Sequence, residues 1–192
     1  METILSICAG IGLAAACGFR VFVPLLVASI AALSGHLQLT EHFAWIGTYP
    51  ALVAFAVATV LEIGGYYVPW LDHLLDTIAT PAAIVAGTII SASIFSDMSP
   101  FLRWTLAVIA GGGAAGVVQA GTVAMRAVST STSGGLANPL VSTAELGLSL
   151  FTSVLAIVLP VLAVTLLAAL VVWVAQKIWR RRAKNGLATS GH

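Results

Sequence analysis

Charge is scarce in this sequence. Only 8% of its 192 residues are charged and 59% are hydrophobic, whereas about a quarter of the residues of a soluble domain are charged. This balance excludes an ordinary soluble protein, and a net charge of only +1 gives no sign of a nucleic-acid-binding surface. The sequence therefore predicts an all-α integral membrane protein in contact with the lipid bilayer and without a nucleic-acid partner.

Cysteine and catalytic motifs are also sparse. Cys8 and Cys17 are nine positions apart, on opposite faces of a helix, so they cannot pair with each other there. His36 and His42 flank Glu41, but this spacing in a polar loop is more typical of solvated side chains than of metal ligands. The sequence contains no nucleophile with a base at motif spacing. We therefore expect no enzyme, with no catalytic residue, no metal and no cofactor.

Long apolar runs fill most of the chain and predict about five transmembrane helices. The runs cover residues 3–33, 49–67, 81–95, 102–128 and 139–179. The first exceeds the roughly 20 residues of a span and contains Gly18, Arg20 and Pro24, so we expect a broken or strongly tilted helix. The last would form a helix about 60 Å long. We expect it to kink at Pro160, and the alternative of six spans splits it there.

Basic residues gather at the C-terminal end of the chain. Lys177, Arg180, Arg181, Arg182 and Lys184 give the pattern typical of a cytoplasmic C-terminus. We interpret residues 1–179 as one membrane domain and residues 180–192 as a basic cytoplasmic tail that binds anionic lipid headgroups. Five crossings then place Arg103 inside, and both the N-terminus and the polar stretch 126–145 outside.

Two charged residues interrupt the first two apolar runs. Arg20 lies near the middle of the first and Glu62 towards the end of the second. A charge inside a span must face the protein interior and find a partner there. For Arg20, a structural ion pair and a solute contact both remain open. For Glu62 the alternatives are a partner for Arg20, a proton carrier, or a near-surface carboxylate, because Tyr66, Tyr67 and Trp70 indicate the membrane interface.

Residues 68–80 predict a short amphipathic helix after the second run. Asp72 and Asp76 share one face and leucines cover the other. This helix either lies in the interface with its acids in water or forms a cation-attracting mouth. It ends in Thr80-Pro81, a helix-start pattern in which a polar cap precedes proline at the first helical position.

The most distinctive stretch is residues 126–145, RAVSTSTSGGLANPLVSTAE. It contains a second helix-start pattern, Asn138-Pro139, which predicts that the helices beginning at Pro81 and Pro139 open on the same side of the membrane. The exposed N–H groups of such starts suit an anion. The stretch is either a polar external loop or a re-entrant segment at membrane depth.

The polar residues of these runs form one candidate solute site. We predict a small transporter or channel-like protein for an anionic or zwitterionic solute, in which arginines bind the anion and carboxylates neutralise them or carry a proton. The alternative is a structural or lipid-binding membrane protein without transport activity. The candidate substrate-binding residues are Arg20, Glu62, Arg126, Ser129, Thr130, Thr132, Ser133, Asn138, Ser142 and Glu145.

Glycines in the fourth run, at positions 111, 112, 113, 116 and 121, predict close helix packing, and a chain of this size is expected to form a homo-oligomer.

Several motifs resemble a family of small bacterial membrane proteins catalogued as a domain of unknown function. They are Gly18-Phe19-Arg20 with Pro24, the series Glu62, Asp76 and Thr80-Pro81, and above all the stretch 126–145. The resemblance covers nearly the whole chain. It implies a multi-pass protein of the bacterial inner membrane and brings no activity with it.

Overall fold

The computed structural model describes the backbone of residues 2–67, 69–134 and 136–189, and their side chains except those of 69–74, 76, 178–179 and 181–189. Regular structure in these ranges is helical, which confirms the all-α class. The helices are α1 (Glu2–Cys17), α2 (Phe22–Leu33), α3 (Tyr49–Gly65), α4 (Pro69–Ile94), α5 (Pro100–Leu106), α6 (Gly113–Ser133), α7 (Asn138–Val158) and α8 (Pro160–Thr189). A 3-10 helix (Glu41–Gly47) precedes α3, and a π-helical segment (Ala107–Gly112) joins α5 to α6.

The chain is a multi-pass membrane protein. Its described part has four helices long and apolar enough to cross a membrane, or five if the 3-10 helix and α3, which meet at 62°, count as one span. The four are Thr77–Ile94, Pro100–Ser133, Asn138–Val158 and Pro160–Lys177. Large apolar side chains such as Leu61 and Phe151 are 69% and 63% exposed on the outside of the bundle. Lipid is the solvent that suits such a surface.

The first apolar run is a helical hairpin rather than the single broken span we expected. α1 and α2 have 16 and 12 residues, each shorter than the roughly 20 residues that a crossing requires. Gly10 of α1 packs against Ser91 of α4. After α2 the chain returns to the same end of α4, since the N–H of Thr40 donates to the carbonyl of Ser93 at 2.7 Å. The helices therefore run in opposite directions, with the hairpin tip at residues 18–21.

Small residues allow this hairpin to lie inside the bundle, where α1 packs against α4, α6, α7 and α8. A Cβ atom on Gly18 would lie 2.5 Å from the carbonyl oxygen of Ala115, so only glycine permits the tip to approach α6 this closely. Pro24 falls in the first turn of α2, where its missing N–H removes no helical hydrogen bond. We call the end of the bundle towards which residues 18–21 point the tip end.

The hairpin changes the predicted placement of the N-terminus. Because α1 runs towards the tip end, the N-terminus lies at the opposite end, with the 3-10 helix and Arg103. Phe43 and Trp104 mark that end, where their ring centroids are 6.1 Å apart. The turn between α6 and α7 lies at the tip end. The prediction that the N-terminus and the stretch 126–145 share a side is therefore wrong, whereas Arg103 and that stretch do lie at opposite ends.

Residues 69–80 are the first turns of α4 rather than a separate helix. α4 runs without a break from Pro69 to Ile94 and contains Pro81 in its interior. Pro81 therefore begins no helix, and the predicted pair of matched helix starts is wrong. Of the two patterns, only Asn138-Pro139 lies at a helix start, and there Ala137, rather than Asn138, is the N-cap. A proline inside a membrane helix is tolerated because neighbouring groups satisfy the freed backbone. The predicted mouth remains a prediction, because the side chains of Asp72 and Asp76 lie outside the described ones.

The fourth run forms one continuous helical stretch against α4. Gly111 and Gly112, in its π-helical segment, and Gly116 face α4, and a Cβ atom on Gly111 would lie 2.8 Å from the carbonyl oxygen of Gly87. No described atom lies within 4 Å of such a Cβ on Gly113 or Gly121. The predicted close packing is therefore confirmed for one face of the helix.

The stretch 126–145 folds as two helix ends joined by a short turn. α6 continues through the hydroxyl cluster to Ser133, and Gly134 then adopts a left-handed conformation with φ 62°, which glycine reaches without strain. α7 begins at Asn138. Of the two alternatives, the described residues do not form a re-entrant segment, and the two helices replace most of the polar external loop. The short helices that enter and leave at one end of the bundle are α1 and α2.

The last apolar run breaks where Pro160 predicted a kink. Leu159 has φ −135° and ψ 68°, outside the helical region. Gly12 lies against both Ala156 and Ala163, which would be about 10 Å apart on a straight helix, so the chain bends between them. The backbone of α8 then continues to Thr189, past the predicted boundary between membrane domain and tail.

Candidate functional site

Four charged side chains converge in the interior near the tip end, although they are far apart in sequence. Arg20 is 1% exposed, Glu62 9%, Arg126 5% and Glu145 1%. They come from the hairpin tip, α3, α6 and α7 respectively. We call these four residues the charge cluster. Burial of four charges requires that each be paired or hydrogen-bonded, and the partners are specific.

Arg126 and Glu145 form the central ion pair of the charge cluster. The Nε of Arg126 donates to Oε1 of Glu145 at 3.0 Å, and its Nη2 donates to Oε2. Each residue lies about two helical turns, roughly 10 Å, from the turn that joins α6 to α7, so the antiparallel helices bring them to the same depth. The result is a two-point arginine–carboxylate contact, the strongest type of side-chain hydrogen bonding.

Glu62 caps α2 from another helix. Its Oε1 accepts the N–H of Val21 at 2.8 Å and its Oε2 accepts that of Phe22 at 3.1 Å. α2 has no side-chain cap of its own at Val21. The carboxylate thus satisfies N–H groups that a helix start leaves free and lies at the positive end of the helix dipole. The sequence predicts Glu62 as a partner for Arg20, a proton carrier or a near-surface carboxylate, and does not predict that it caps a helix.

Arg20 is held by α7 and retains unused donors. Its Nη2 donates to the carbonyl oxygen of Ser142 at 3.0 Å and to the Ser142 hydroxyl, and it lies 3.7 Å from Oε2 of Glu145. Its Nε and Nη1 are buried and have no hydrogen-bond partner in the described part of the chain. A buried donor without an acceptor costs about 1–3 kcal/mol, so these atoms require an explanation.

Tyr66 belongs to the charge cluster, although its sequence position indicated the membrane interface. It is 6% exposed, and its ring centroid is 4.0 Å from Cζ of Arg20 and 3.9 Å from Cζ of Arg126. Attraction between cation and ring supports both guanidinium groups. The signal that could have found it is its spacing from Glu62, four residues earlier and therefore on the same helical face.

The hydroxyl-rich part of the predicted site stabilises the α6–α7 turn instead of joining the ion pairs. The Ser133 hydroxyl accepts the N–H of Ala137 at 3.1 Å, and Nδ2 of Asn138 donates to the Thr130 hydroxyl at 3.2 Å. Thr132 is exposed and donates to the carbonyl of Val128 at 2.8 Å. The Ser129 hydroxyl is buried and has no partner among the described atoms. Of this group, only Ser142 contacts the charge cluster.

A polar seam continues from the charge cluster along two helices. On α7, Ser149 and Ser153 are fully buried, and the Ser149 hydroxyl donates to the carbonyl of Ala16 at 3.0 Å. On α6, Gln119 and Thr122 are 4% exposed. Spacings of three and four residues from Arg126 and Glu145 place these groups on the same helical faces, and that spacing is the signal that could have revealed them.

The fold and site define a polytopic α-helical membrane protein with an interior helical hairpin and a buried cluster of ion pairs. A family described as "Domain of unknown function (DUF4126)" matches residues 7–181, and the chain belongs to this family. The resemblance carried by the motifs is thereby confirmed. No curated protein and no solved structure matches the chain.

Proposed function

We propose that this protein is a small membrane transporter or channel-like protein that binds an anionic or zwitterionic solute at Arg20. The observation that carries the proposal is the pair of buried, unpartnered donors Nε and Nη1 of Arg20 in the described part of the chain. Nη2 and the ring of Tyr66 hold the guanidinium in place. A fixed, permanently charged donor group of this kind suits a carboxylate or another small anion.

The position of Arg20 supports the same proposal. It lies at the tip of a hairpin whose arms are too short to span, beside the start of α2, and irregular backbone at membrane depth is tolerated only against protein or a water-filled cavity. Transporter folds use such helix breaks for solute sites. The polar seam formed by Gln119, Thr122, Ser149 and Ser153 supplies polar groups along a route from the charge cluster towards the opposite end.

Anion flux into proteoliposomes tests the proposal. The purified chain is reconstituted and offered gradients of chloride, nitrate, acetate or glycine. We expect flux of at least one solute, reduced at least tenfold in Arg20→Gln and only partly restored in Arg20→Lys, because lysine keeps the charge without the planar donors. Arg103→Gln, at the opposite end, is the matched control and should retain flux. Equal flux in Arg20→Gln and wild type would rule out Arg20 as the solute contact.

A second candidate is a structural or lipid-binding protein, favoured by the exposed C-terminal part of α8. Nζ of Lys177 lies 4.5 Å from the ring centroid of Trp173, and Arg180 is exposed, an arrangement that suits anionic headgroups. Stabilisation by added phosphatidylglycerol, compared with phosphatidylcholine, measures this interaction. If lipid binding is the function, a variant with Lys177→Gln and Arg180→Gln loses the stabilisation, and Arg20→Gln retains it.

On the transport proposal, the protein lies in the bacterial inner membrane with its C-terminus in the cytoplasm. The basic residues beyond Lys177 support this orientation. Gly113 and Gly121 of α6 support assembly as a homo-oligomer, because a Cβ atom added at either position would meet no described atom of the rest of the bundle.

A further inference from the structure

We propose that a solute anion displaces the carboxylate of Glu62 from the start of α2, and that the displaced carboxylate takes up one proton. This inference rests on the proposed function and deepens it, because it assigns the anion site and the coupled ion. Glu62 occupies two N–H groups that would themselves bind an anion.

The charge count favours displacement over simple addition. The charge cluster holds two arginines and two glutamates. A solute anion added to it would lower the net charge of the interior by one, and such a change is costly at membrane depth. If the Glu62 carboxylate binds one proton to become the neutral acid, the net charge of the interior does not change when the solute anion binds.

The hydrogen bonds single out Glu62 over Glu145 as the carboxylate that leaves. Arg126 binds both oxygens of Glu145, and Arg20 approaches the same carboxylate at 3.7 Å. Glu62 is held by two backbone N–H groups, and its interaction with Arg20 is electrostatic. Protonation of Glu62 removes the charge that attracts it to these donors. Glu145 is held more firmly, because it faces two arginines.

Departure of Glu62 would complete an anion site beside Arg20. The N–H groups of Val21 and Phe22 would become free in the two residues that follow Arg20, whose Nε and Nη1 have no partner in the described part of the chain. Backbone donors at a helix start combined with a guanidinium suit a small monovalent anion such as chloride, nitrate or a simple carboxylate.

Other titratable groups act on Glu62 directly or through Arg20. Cys17 of α1, Arg20 of the tip and Glu145 of α7 interact with it electrostatically, and the ring of Tyr66 of α3 lies against Arg20 and against Arg126 of α6. On α4, the side chains of Asp72 and Asp76 lie outside the described ones. Assignment of the proton to Glu62 therefore requires a variant that removes this carboxylate alone.

Calorimetric titration of the purified full chain with chloride, nitrate and acetate tests the inference. At constant ionic strength between pH 5 and 8, wild type should bind more weakly as pH rises, by up to about tenfold per pH unit once Glu62 is ionised. Buffers of different ionisation enthalpy should show uptake of about one proton per anion in that range. In Glu62→Gln, which keeps one oxygen acceptor, affinity should change less than twofold with pH and no proton should be taken up. Glu41→Gln, exposed at the opposite end, is the matched control and should behave as wild type.

The outcomes separate this inference from the proposed function. In one outcome wild type binds an anion, Arg20→Gln abolishes this binding, and the affinity of Glu62→Gln depends on pH as in wild type. The inference is then overturned and the proposed function stands. If none of the anions binds wild type or Glu62→Gln at any pH, both are overturned. If Glu62→Gln does not fold, the wild-type proton count still tests the inference, because a count near zero overturns it.

Discussion

Loss of Arg126 should destabilise the protein strongly, because it leaves Glu145 charged and buried. In Arg126→Gln the carboxylate of Glu145, 1% exposed, loses both hydrogen bonds from Arg126, and its remaining cation is Arg20 at 3.7 Å. Removal of one partner from a buried pair costs about 3–5 kcal/mol. At about 2–4 °C per kcal/mol for a chain of this size, the apparent melting temperature should fall by about 6–20 °C.

The double variant Arg126→Gln with Glu145→Gln should recover much of this loss. It removes the stranded carboxylate and places two amides, which can hydrogen-bond to each other, in the same space. Replacement of both members of a buried pair is often nearly neutral, so the double variant should be more stable than Arg126→Gln alone. The coupling energy between the two positions should exceed about 1.5 kcal/mol, within the range found for contacting residues.

Thermal unfolding in one detergent, followed by tryptophan fluorescence and by retention on size-exclusion chromatography, measures both effects. Glu41→Gln serves as the control because it removes an exposed charge, and it should change stability by no more than about 0.5 kcal/mol. If the double variant loses as much stability as the two single variants added together, Arg126 and Glu145 act independently, and the reasoning from a buried ion pair fails.

Three further predictions concern packing, the aromatic partner and topology. Gly111→Ala should destabilise the folded protein, because its Cβ would meet the Ser91 side chain and the Gly87 carbonyl. Gly113→Ala should leave stability unchanged or raise it by up to about 1 kcal/mol, and the melting temperatures of the two variants test this difference. Tyr66→Leu should lower the free energy of unfolding by about 0.5–2 kcal/mol more than Tyr66→Phe, because phenylalanine keeps the ring beside both arginines. A larger loss of stability in Tyr66→Phe than in Tyr66→Leu would contradict the cation–ring interaction. In a cysteine-free background, a membrane-impermeant maleimide should label Glu41→Cys and an N-terminal cysteine tag from one side and Ser131→Cys from the other. An N-terminus labelled together with position 131 would show that the first run crosses the membrane after all.

The hairpin shows why sequence reasoning reached the right class but misplaced one segment. The apolar run 3–33 indicated membrane, and Gly18, Arg20 and Pro24 correctly marked an interruption. A break in a helix looks the same in sequence whether the chain continues or reverses. The reversal depends on contacts with distant residues, such as Gly10 against Ser91 and Thr40 with Ser93.

The proline patterns show the same limit at shorter range. Asn138-Pro139 and Thr80-Pro81 have equivalent local chemistry, yet the first begins α7 and the second lies inside α4. A proline inside a helix removes one backbone hydrogen bond, and α4 keeps its helical turns on both sides of Pro81. The local start signal therefore does not by itself show whether an earlier helix ends there.

The sequence by itself determined that the protein belongs in a membrane, that it is helical, and that Arg20, Glu62, Arg126 and Glu145 must find partners. The physical reason is that a bilayer accepts apolar side chains and self-bonded helices, and it makes an unpaired charge costly. Only the tertiary structure decided which partner each charge has. Arg126 holds Glu145, Glu62 caps α2, and Arg20 retains two unused donors, because these pairings depend on how helices distant in sequence approach one another.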